Sequence, residues 1–329
     1  MLKQCEGGKA DEVTLEQRKE TVTVQWIDGG IPQIVQVDSE SQYEDFPAIS
    51  SEMRANDVRL VSALRDAVET TDNASSRYAL SCVQLQGKTG KVAATDGHQL
   101  LIQSGFDFPW DDDVLVPARK VFASRELSGE QPVAVGKTDD WVAVRVGPWT
   151  IHLKIEKESR FPRVEDHVPD AGNAKTKLRL SDADADFLAK AVKRLPSNGD
   201  YNSPVTVDLN GEVVIRSQGE DQSAPTELVL CNSSRTGETV CFNTNRAFLA
   251  RAMKLGFRDV HLSGPEMPAF CCDDNRQYLW ALLGKEGAIK PHEQATRIES
   301  PTASSSQTNP QPKTRRQPVT MPTAPEKNG

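Results

Sequence analysis

The sequence predicts an α+β protein built from a repeated unit, in which one helix is combined with several antiparallel strands. Most of the chain consists of short runs rich in β-branched residues, and several of these runs alternate with period two, as amphipathic strands do. Helical patterns interrupt the runs at intervals of 60, 64 and 62 residues, and this regular spacing indicates that one structural unit recurs. The helical patterns begin near Asp57, Pro117, Ser181 and Asn243.

The predicted strands lie on both sides of clear turn signals. Asp28-Gly29-Gly30 and Asn210-Gly211 separate apolar runs and are typical of hairpin turns, which makes the flanking strands antiparallel. The clearest predicted strands cover residues 22–26, 81–85, 141–146, 205–209 and 213–215.

Each predicted helix carries one apolar stripe. In the first, Leu60, Leu64 and Val68 follow the capping residues Asn56 and Asp57. The second is the weakest: Pro117 suits a first-turn position, and Val121 and Phe122 are its anchors. Pro196 ends the third helix and Gly256 the fourth, and their stripes contain Phe187, Leu188, Ala191, Val192, Leu195, Phe248, Leu249, Ala252 and Met253.

Bulk properties exclude several classes of protein. No stretch reaches the roughly 18 consecutive apolar residues that a membrane helix needs, and the first residues lack the apolar core of a signal peptide, so we expect a cytoplasmic protein. Its six cysteines show no C-x-x-C pair, which favours small buried side chains over a metal site or disulfides. The chain contains no Walker loop, no H-E-x-x-H and no zinc-ligand spacing, so no cofactor is expected.

Two strings carry a resemblance to a known family. They are Val92-Ala93-Ala94-Thr95-Asp96-Gly97-His98-Gln99-Leu100 and Phe161-Pro162-Arg163-Val164-Glu165-Asp166-His167-Val168-Pro169. In this order and at this distance they resemble the second domain of the bacterial sliding clamp, the beta subunit of DNA polymerase III. Gln99, Arg163 and Val164 depart from the usual family pattern.

The resemblance implies a DNA-clamp fold, in which each domain pairs two helix-plus-sheet half-domains, with helices inside around a hole and sheets outside. Residues 57–170 correspond to the second clamp domain and 177–284 to the third. Residues 1–56 correspond to a partial first domain that lacks its front half. Residues 285–329 are rich in Ser, Thr, Pro, Gln and Lys, and this composition predicts a disordered tail.

The resemblance also implies a function without catalysis. Family members are processivity factors that encircle duplex DNA as homo-oligomeric rings and dock polymerase, clamp loader and repair proteins through short peptide motifs. The positions that match the family's peptide-binding cleft are Leu80, Thr95, Gly97, His98, Gln99, Leu100, Pro162, Asp166, His167, Leu279, Trp280, Ala281, Leu282 and Leu283.

The net charge of −8 argues against a protein that coats DNA with its whole surface, but a ring needs basic residues only around its hole. Three of the predicted helices share a basic bias, which indicates a common anionic partner bound without sequence specificity. Arg77 and Tyr78 match a family stretch near DNA. The predicted DNA-binding residues are Arg77, Tyr78, Arg119, Lys120, Arg125, Lys190, Lys193, Arg194, Arg246, Arg251 and Lys254.

Two alternative functions remain open. A degenerate clamp paralogue would bind peptides without encircling DNA, and the missing front half of the first domain favours it. A hydrolase would use His98 with Asp96, although a lone histidine beside a turn is more often structural than catalytic.

Overall fold

The structure is a computed structural model, and it describes residues 12–38, 47–48, 50–72 and 79–302. Two units are distinguished, Met1–Ala48 and Ile49–Gly329. In the described residues, no helix is both long and apolar enough to cross a membrane.

The first unit contains a three-stranded antiparallel meander. Its strands are β1 (Thr14–Arg18), β2 (Thr21–Asp28) and β3 (Ile31–Asp38). The predicted turn at Gly29 and Gly30 joins β2 to β3, and both glycines have positive φ, 56° and 84°, as a tight hairpin turn requires. Residues 39–46 of the predicted partial first domain lie outside the described residues.

The second unit is larger, and its described residues form three sheets. A four-stranded sheet has the order β11-β10-β9-β4, a nine-stranded sheet the order β16-β12-β18-β19-β20-β7-β6-β5-β8, and a five-stranded sheet the order β17-β13-β14-β15-β21. The strands are β4 (Arg54–Asn56), β5 (Cys82–Gln86), β6 (Lys91–Thr95), β7 (Gln99–Ser104), β8 (Asp113–Pro117), β9 (Val133–Lys137), β10 (Trp141–Val146), β11 (Trp149–Lys154), β12 (Thr176–Arg179), β13 (Pro204–Asp208), β14 (Val214–Ser217), β15 (Thr226–Val229), β16 (Ser234–Gly237), β17 (Cys241–Asn245), β18 (Asp259–Leu262), β19 (Ala269–Cys272), β20 (Arg276–Trp280) and β21 (Thr296–Glu299).

The nine-stranded sheet joins the two predicted complete domains. Strand β7, from the segment predicted as the second domain, pairs antiparallel with β20, from the segment predicted as the third, and Leu100 lies opposite Leu279. The two segments thus share a continuous ladder of backbone hydrogen bonds.

Three α-helices lie in the described residues: α1 (Arg59–Val68), α2 (Asp182–Ala191) and α3 (Arg246–Lys254). Each begins where a short polar side chain accepts a backbone N–H, as helix starts require. Asp57 accepts from Arg59 N, Ser181 from Asp184 N and Asn245 from Ala247 N. These starts confirm three of the four predicted helices.

The second predicted helix is wrong. Strand β8 continues through Pro117, and the chain then forms two short 3-10 turns, Lys120–Ala123 and Arg125–Leu127, separated by the extended residue Ser124. The buried Phe122 and Leu127 anchor one turn each. The extended residues Arg119, Ser124 and Ser128 interrupt the segment, so it forms 3-10 turns, which occur in short pieces, and no continuous α-helix.

Two apolar cores lie beneath these helices. One packs α1 against strands β5, β6, β9 and β10, and includes Leu60, Leu64 and Val68 of the predicted stripe. The other packs α2 and α3 against β13, β14, β15 and β17, with Leu188 and Leu249 inside it. The predicted stripes therefore mark the faces that the helices bury.

Several boundary predictions need correction. Strand β4 pairs with β9, so residues 54–56 belong to the second unit and not to the partial first domain. Residues 285–302 are ordered, because β21 pairs parallel with β15, and only residues 303–329 of the predicted tail lie outside the described residues. Cys231 is exposed and not buried, since it follows the end of β15 in a turn.

Asp184 on α2 is fully buried and gives a pH-dependent prediction. Burial alone would raise the pKa of this carboxyl, but hydrogen bonds from Ser233, Ser300 and Asn232 hold it below the usual 3.8. A carboxyl with a lowered folded-state pKa stabilises the fold above its unfolded pKa, and this stabilisation is lost as pH falls through the folded value.

We expect Asp184→Asn to destabilise the protein by about 1–3 kcal/mol at pH 7, because buried donors lose their charged acceptor. The difference in free energy of unfolding between Asp184→Asn and the parent should shrink as pH falls below 3.8. Urea unfolding at several pH values measures it, with the exposed Asp186→Asn as control. A difference that is the same at pH 7 and in acid would contradict this account.

Candidate nucleic-acid interface and peptide cleft

The helical segments of the second unit form one connected group. Helix α1 packs against the turn Lys120–Ala123, and α2 packs against α3. The side chain of Arg251 on α3 reaches the end of α1, where it bonds Glu69, Thr70 and the carbonyl of Asp66. We call α1, α2, α3 and the turns Lys120–Ala123 and Val192–Arg194 the helical group.

Most of the predicted DNA-binding cations are exposed on this group or directly beside it. Lys193 and Lys254 lie next to each other, where α2 ends and α3 ends. The pKa of Lys193 is lowered because it is partly buried and because Lys254 adds a neighbouring positive charge. Such crowding of cations is favourable only when an anion neutralises it. The exposed cations are Arg119, Lys120, Arg125, Lys190, Lys193, Arg194 and Lys254.

A cavity of about 410 Å³ lies between α1 and the turn Lys120–Ala123, and three cations line it. They are Arg65, Arg119 and Lys120, with Glu69 as the acidic member of the lining. Arg65 is not among the predicted DNA-binding residues. The available signal was its position on the polar side of the first predicted helix, between the stripe residues Leu64 and Val68.

The prediction that Arg246 contacts DNA is wrong, because its side chain is buried at the start of α3. The guanidinium donates to the carbonyls of Leu195, Pro196 and Ser203 at 2.6 to 2.7 Å, and to Ser217 Oγ at 3.1 Å. Burial lowers the pKa of Arg246. These bonds and the burial of the side chain keep the guanidinium within the protein, away from any bound phosphate.

Arg251 is also committed to the protein's own structure. Its donors bond Glu69 Oε2 at 2.7 Å, the Asp66 carbonyl at 2.5 Å and Thr70 Oγ1 at 2.9 Å. Its side chain is only 13% exposed. Arg251 therefore ties α3 to α1 and is not a free DNA ligand. Arg77 and Tyr78 lie outside the described residues.

The predicted cleft draws on segments that the structure brings together. A Cβ on Gly97 would lie 3.9 Å from Leu80, and the Ala281 N–H donates to the His98 carbonyl at 2.8 Å. Beneath them, one apolar cluster contains Leu100 and Leu279 with Ala79, Cys82, Ala93, Ile102, Leu115, Phe161, Val164 and Phe270. The segments around Leu80, His98, Phe161 and Leu279 thus meet at one place.

Many of the predicted cleft side chains are buried, and they support this surface from below. Thr95, Gln99, Leu100 and Leu279 are each less than a tenth exposed. Trp280 is fully buried in the core of α2 and α3, and its Nε1 donates to Thr244 Oγ1 at 2.9 Å, so its ring is not available to a peptide. Gln99 accepts from the buried Tyr278 hydroxyl at 2.8 Å.

The exposed residues of the predicted cleft lie in two separate places. The first contains Gly97, His98, Ala281 and the rim residues Asp166 and His167, with Leu80 and Pro162 half-buried. At its edge Lys91 bonds Glu165 at 3.1 Å and lowers the pKa of that carboxyl. The second is a cavity of about 470 Å³, which is lined by Leu283, Asn243 and Ile289. Leu282, beside it, packs against the core of α2 and α3.

Asp96 has a structural role in the turn before β7. Its carboxylate accepts from the backbone N–H groups of His98 and Gln99 and from the Gln99 amide, each at 2.8 Å. These bonds fix the turn and do not orient the His98 imidazole, which argues against a His98/Asp96 catalytic pair. Among the described residues, no three His, Cys, Asp or Glu side chains come together as a metal site.

Comparison with solved structures identifies the architecture. A putative DNA polymerase III beta subunit from Eubacterium rectale ATCC 33656 is 14% identical and has a TM-score of 0.64, covering 82% of this chain and 76% of its own. The DNA polymerase III subunit beta from Pseudomonas aeruginosa is 20% identical, with a TM-score of 0.63 and coverage of 85% and 78%. The chain has the sliding-clamp fold. The expected fold class is thereby confirmed.

A sliding clamp from Pseudomonas aeruginosa bound to griselimycin also has this fold, at 18% identity and a TM-score of 0.63, and the match covers 84% of this chain and 77% of that clamp. No protein-family model and no curated protein matches the chain. At these identities the likeness concerns the clamp fold alone.

Proposed function

We propose that this protein is a sliding clamp: a non-enzymatic processivity factor that binds duplex DNA through its helical group and docks other proteins through the cleft. The observation that carries the proposal is the exposure of so many cations along the helical group of a clamp fold, in a chain whose net charge is −8. Long cationic side chains on helices neutralise phosphates without reading base edges, which suits a protein that moves along DNA.

The docking part of the proposal concerns the surface formed by Leu80, Gly97, His98 and Ala281, together with the cavity beside Leu283. Short peptides of polymerase, clamp loader and repair proteins would bind there by burying apolar side chains. A clamp of this kind would work in the cytoplasm, and it would close its ring by homo-oligomerisation.

The proposal is tested by reversing charge on the helical group. We expect the triple variant Arg119→Glu, Lys190→Glu and Lys254→Glu to bind duplex DNA more weakly. Its log-log salt dependence should be shallower by up to about 2.7, since each lost phosphate contact removes about 0.9 from the slope. Fluorescence anisotropy of a labelled duplex, measured over a series of salt concentrations, gives both quantities.

The matched control changes the same amount of charge on strands and turns, with Lys88→Glu, Lys154→Glu and Arg179→Glu, all at exposed positions. If both variants lose the same slope, the binding is non-specific attraction to net charge and the proposed interface is wrong.

The second candidate function is that of a degenerate paralogue, which is favoured because Arg246 and Arg251 bond groups within the protein. A degenerate paralogue would show no salt-dependent association with duplex DNA, even for the parent chain.

A further inference from the structure

The chain continues past the cleft strand as an ordered segment, residues 284–302, which we call the strap. It leaves β20 beside Leu283 and crosses one face of the five-stranded sheet. There the Asn243 amide donates to the Glu286 carbonyl at 2.7 Å, and the Ile289 N–H donates to Thr206 Oγ1 at 2.9 Å. The strap ends as β21, which pairs with β15 at the edge of the sheet.

The face that the strap crosses carries a row of polar side chains in register, one from each strand. Thr206 donates to Asn243 at 2.7 Å, and Arg216 Nε bonds Glu227 at 2.6 Å. Arg297 of the strap completes the row beside Glu227 at 3.4 Å. The row, in strand order, is Asn243, Thr206, Arg216, Glu227 and Arg297.

Strand β21 satisfies backbone groups that an open edge of β15 would leave free. Thr296 N donates to the Pro225 carbonyl at 3.0 Å, and Ser300 N donates to the Val229 carbonyl at 2.9 Å. Ser300 Oγ accepts from Cys231 N at 2.9 Å. An uncovered strand edge of this kind is a template for a strand of another chain.

The strap is held mainly by polar contacts and buries little apolar surface. All four residues of β21 are exposed, and Ile298 retains 42% of its exposure. Cavities of about 470 and 540 Å³ adjoin it, lined by Ile289 and by His292 among others. Gly284 and Gly287 have φ of 74° and 68°, which other residues rarely adopt, and they let the chain bend at the start of the strap.

A segment with few buried apolar contacts opens at low free-energy cost. The bonds that it makes are specific, because Arg297 also pairs with Glu212 at 2.9 Å. Any strand that replaces β21 must therefore place a cation at the position of Arg297, opposite Glu227. The strap of a second copy meets this requirement fully, since it has the same sequence.

We propose that the edge of β15 is an exchangeable strand-binding site, which takes β21 either from its own chain or from a second copy, so that two chains become linked by strand exchange. The exchanged strand makes the same contacts in both states, so only the entropy of association opposes the linkage and it grows with concentration. This inference concerns the sheet edge and does not depend on DNA binding.

The test uses two full-length chains, one carrying Thr226→Cys and the other Thr296→Cys, at positions that face each other in the β15–β21 register. Neighbouring strands lie about 4.8 Å apart, which suits a disulfide. We expect a mixed disulfide dimer under mild oxidation, increasing with protein concentration. Each variant alone, and Thr226→Cys mixed with Lys285→Cys, control for the native cysteines. If the double variant in one chain forms only its internal disulfide and the mixture forms no dimer, exchange does not occur.

A second measurement uses a fluorescent peptide of residues 285–302. Ser300→Pro removes the N–H that bonds Val229, whereas the N–H of Glu299 points away from β15, so Glu299→Pro is the matched control. We expect Ser300→Pro to bind the peptide at least tenfold more tightly than either the parent or Glu299→Pro. Equal binding by all three folded proteins would overturn the proposal.

Discussion

Replacing Arg246 with methionine is expected to destabilise the protein by about 3–5 kcal/mol, because several buried carbonyls lose their donor at once and each orphaned acceptor costs roughly 1–3 kcal/mol. Arg246 is only 6% exposed and donates to three backbone carbonyls at 2.6 to 2.7 Å. Methionine fills much of the same volume, so the loss comes from buried acceptors left without donors and less from a cavity.

Denaturant unfolding measures this effect, and Lys254→Met is the control because Lys254 is exposed on the same helix. The control should change the free energy of unfolding by about 0.5 kcal/mol or less. Arg246→Lys should recover only part of the loss, since an ammonium is a point donor and cannot reproduce the planar fork of a guanidinium. A stable Arg246→Met protein would mean that Arg246 does not hold these loops together.

The wrong prediction for Arg246 shows which information helical periodicity lacks, namely the partners of a helix residue in distant segments. The pattern predicts that α3 begins near Asn243, two residues before the observed cap Asn245, and it correctly predicts that α3 buries Leu249, Ala252 and Met253. It cannot show that Leu195, Pro196 and Ser203 turn their carbonyls toward the start of α3, because those residues lie in a loop some 40 to 50 positions earlier in the chain. A basic residue in the first turn looks the same whether its partners are phosphates or loop carbonyls.

The strap shows the same limit for strands. The segment Thr296–Glu299, with sequence TRIE, has one apolar residue in four, so composition favours disorder. It forms a strand because β15 offers open backbone groups and because Glu227 and Glu212 attract Arg297. Both partners lie roughly 70 to 85 residues away in sequence, where no local pattern records them.

Strands and helices with strong local signals were predicted more successfully. Turn residues such as Gly29 and Gly30 fix hairpins through backbone geometry alone, and the stripe of α1 matches its buried face. The cleft prediction identified segments that do come together, but not which side chains stay exposed. Leu279 and Trp280 are neighbours on β20, and only the packing of α2 and α3 decides that the Trp280 ring points into their core.

Replacing Arg251 with methionine is expected to weaken the junction between α1 and α3, with a loss of about 2–3 kcal/mol for the bonds of a charged donor to partly buried acceptors. The bonds to the Asp66 carbonyl and Thr70 Oγ1 should account for most of it. The contact with Glu69 contributes little, because that carboxylate is 63% exposed and screened by water. Glu69→Gln is therefore the matched control, and its change should stay below about 1 kcal/mol.

The location of the destabilised residues shows whether Arg251→Met weakens only the junction between α1 and α3 or the stability of the whole protein. Backbone pairing of β7 with β20 still joins the two segments in the variant, so the nine-stranded sheet should remain intact. Hydrogen exchange should accelerate at the amides of Glu69 and Thr70, whose N–H groups close the last turn of α1. Amides of β7 and β20 should exchange as in the parent. Uniform acceleration throughout both strands and the helix would show that Arg251 supports the whole fold, and not the helical junction that positions the exposed cations.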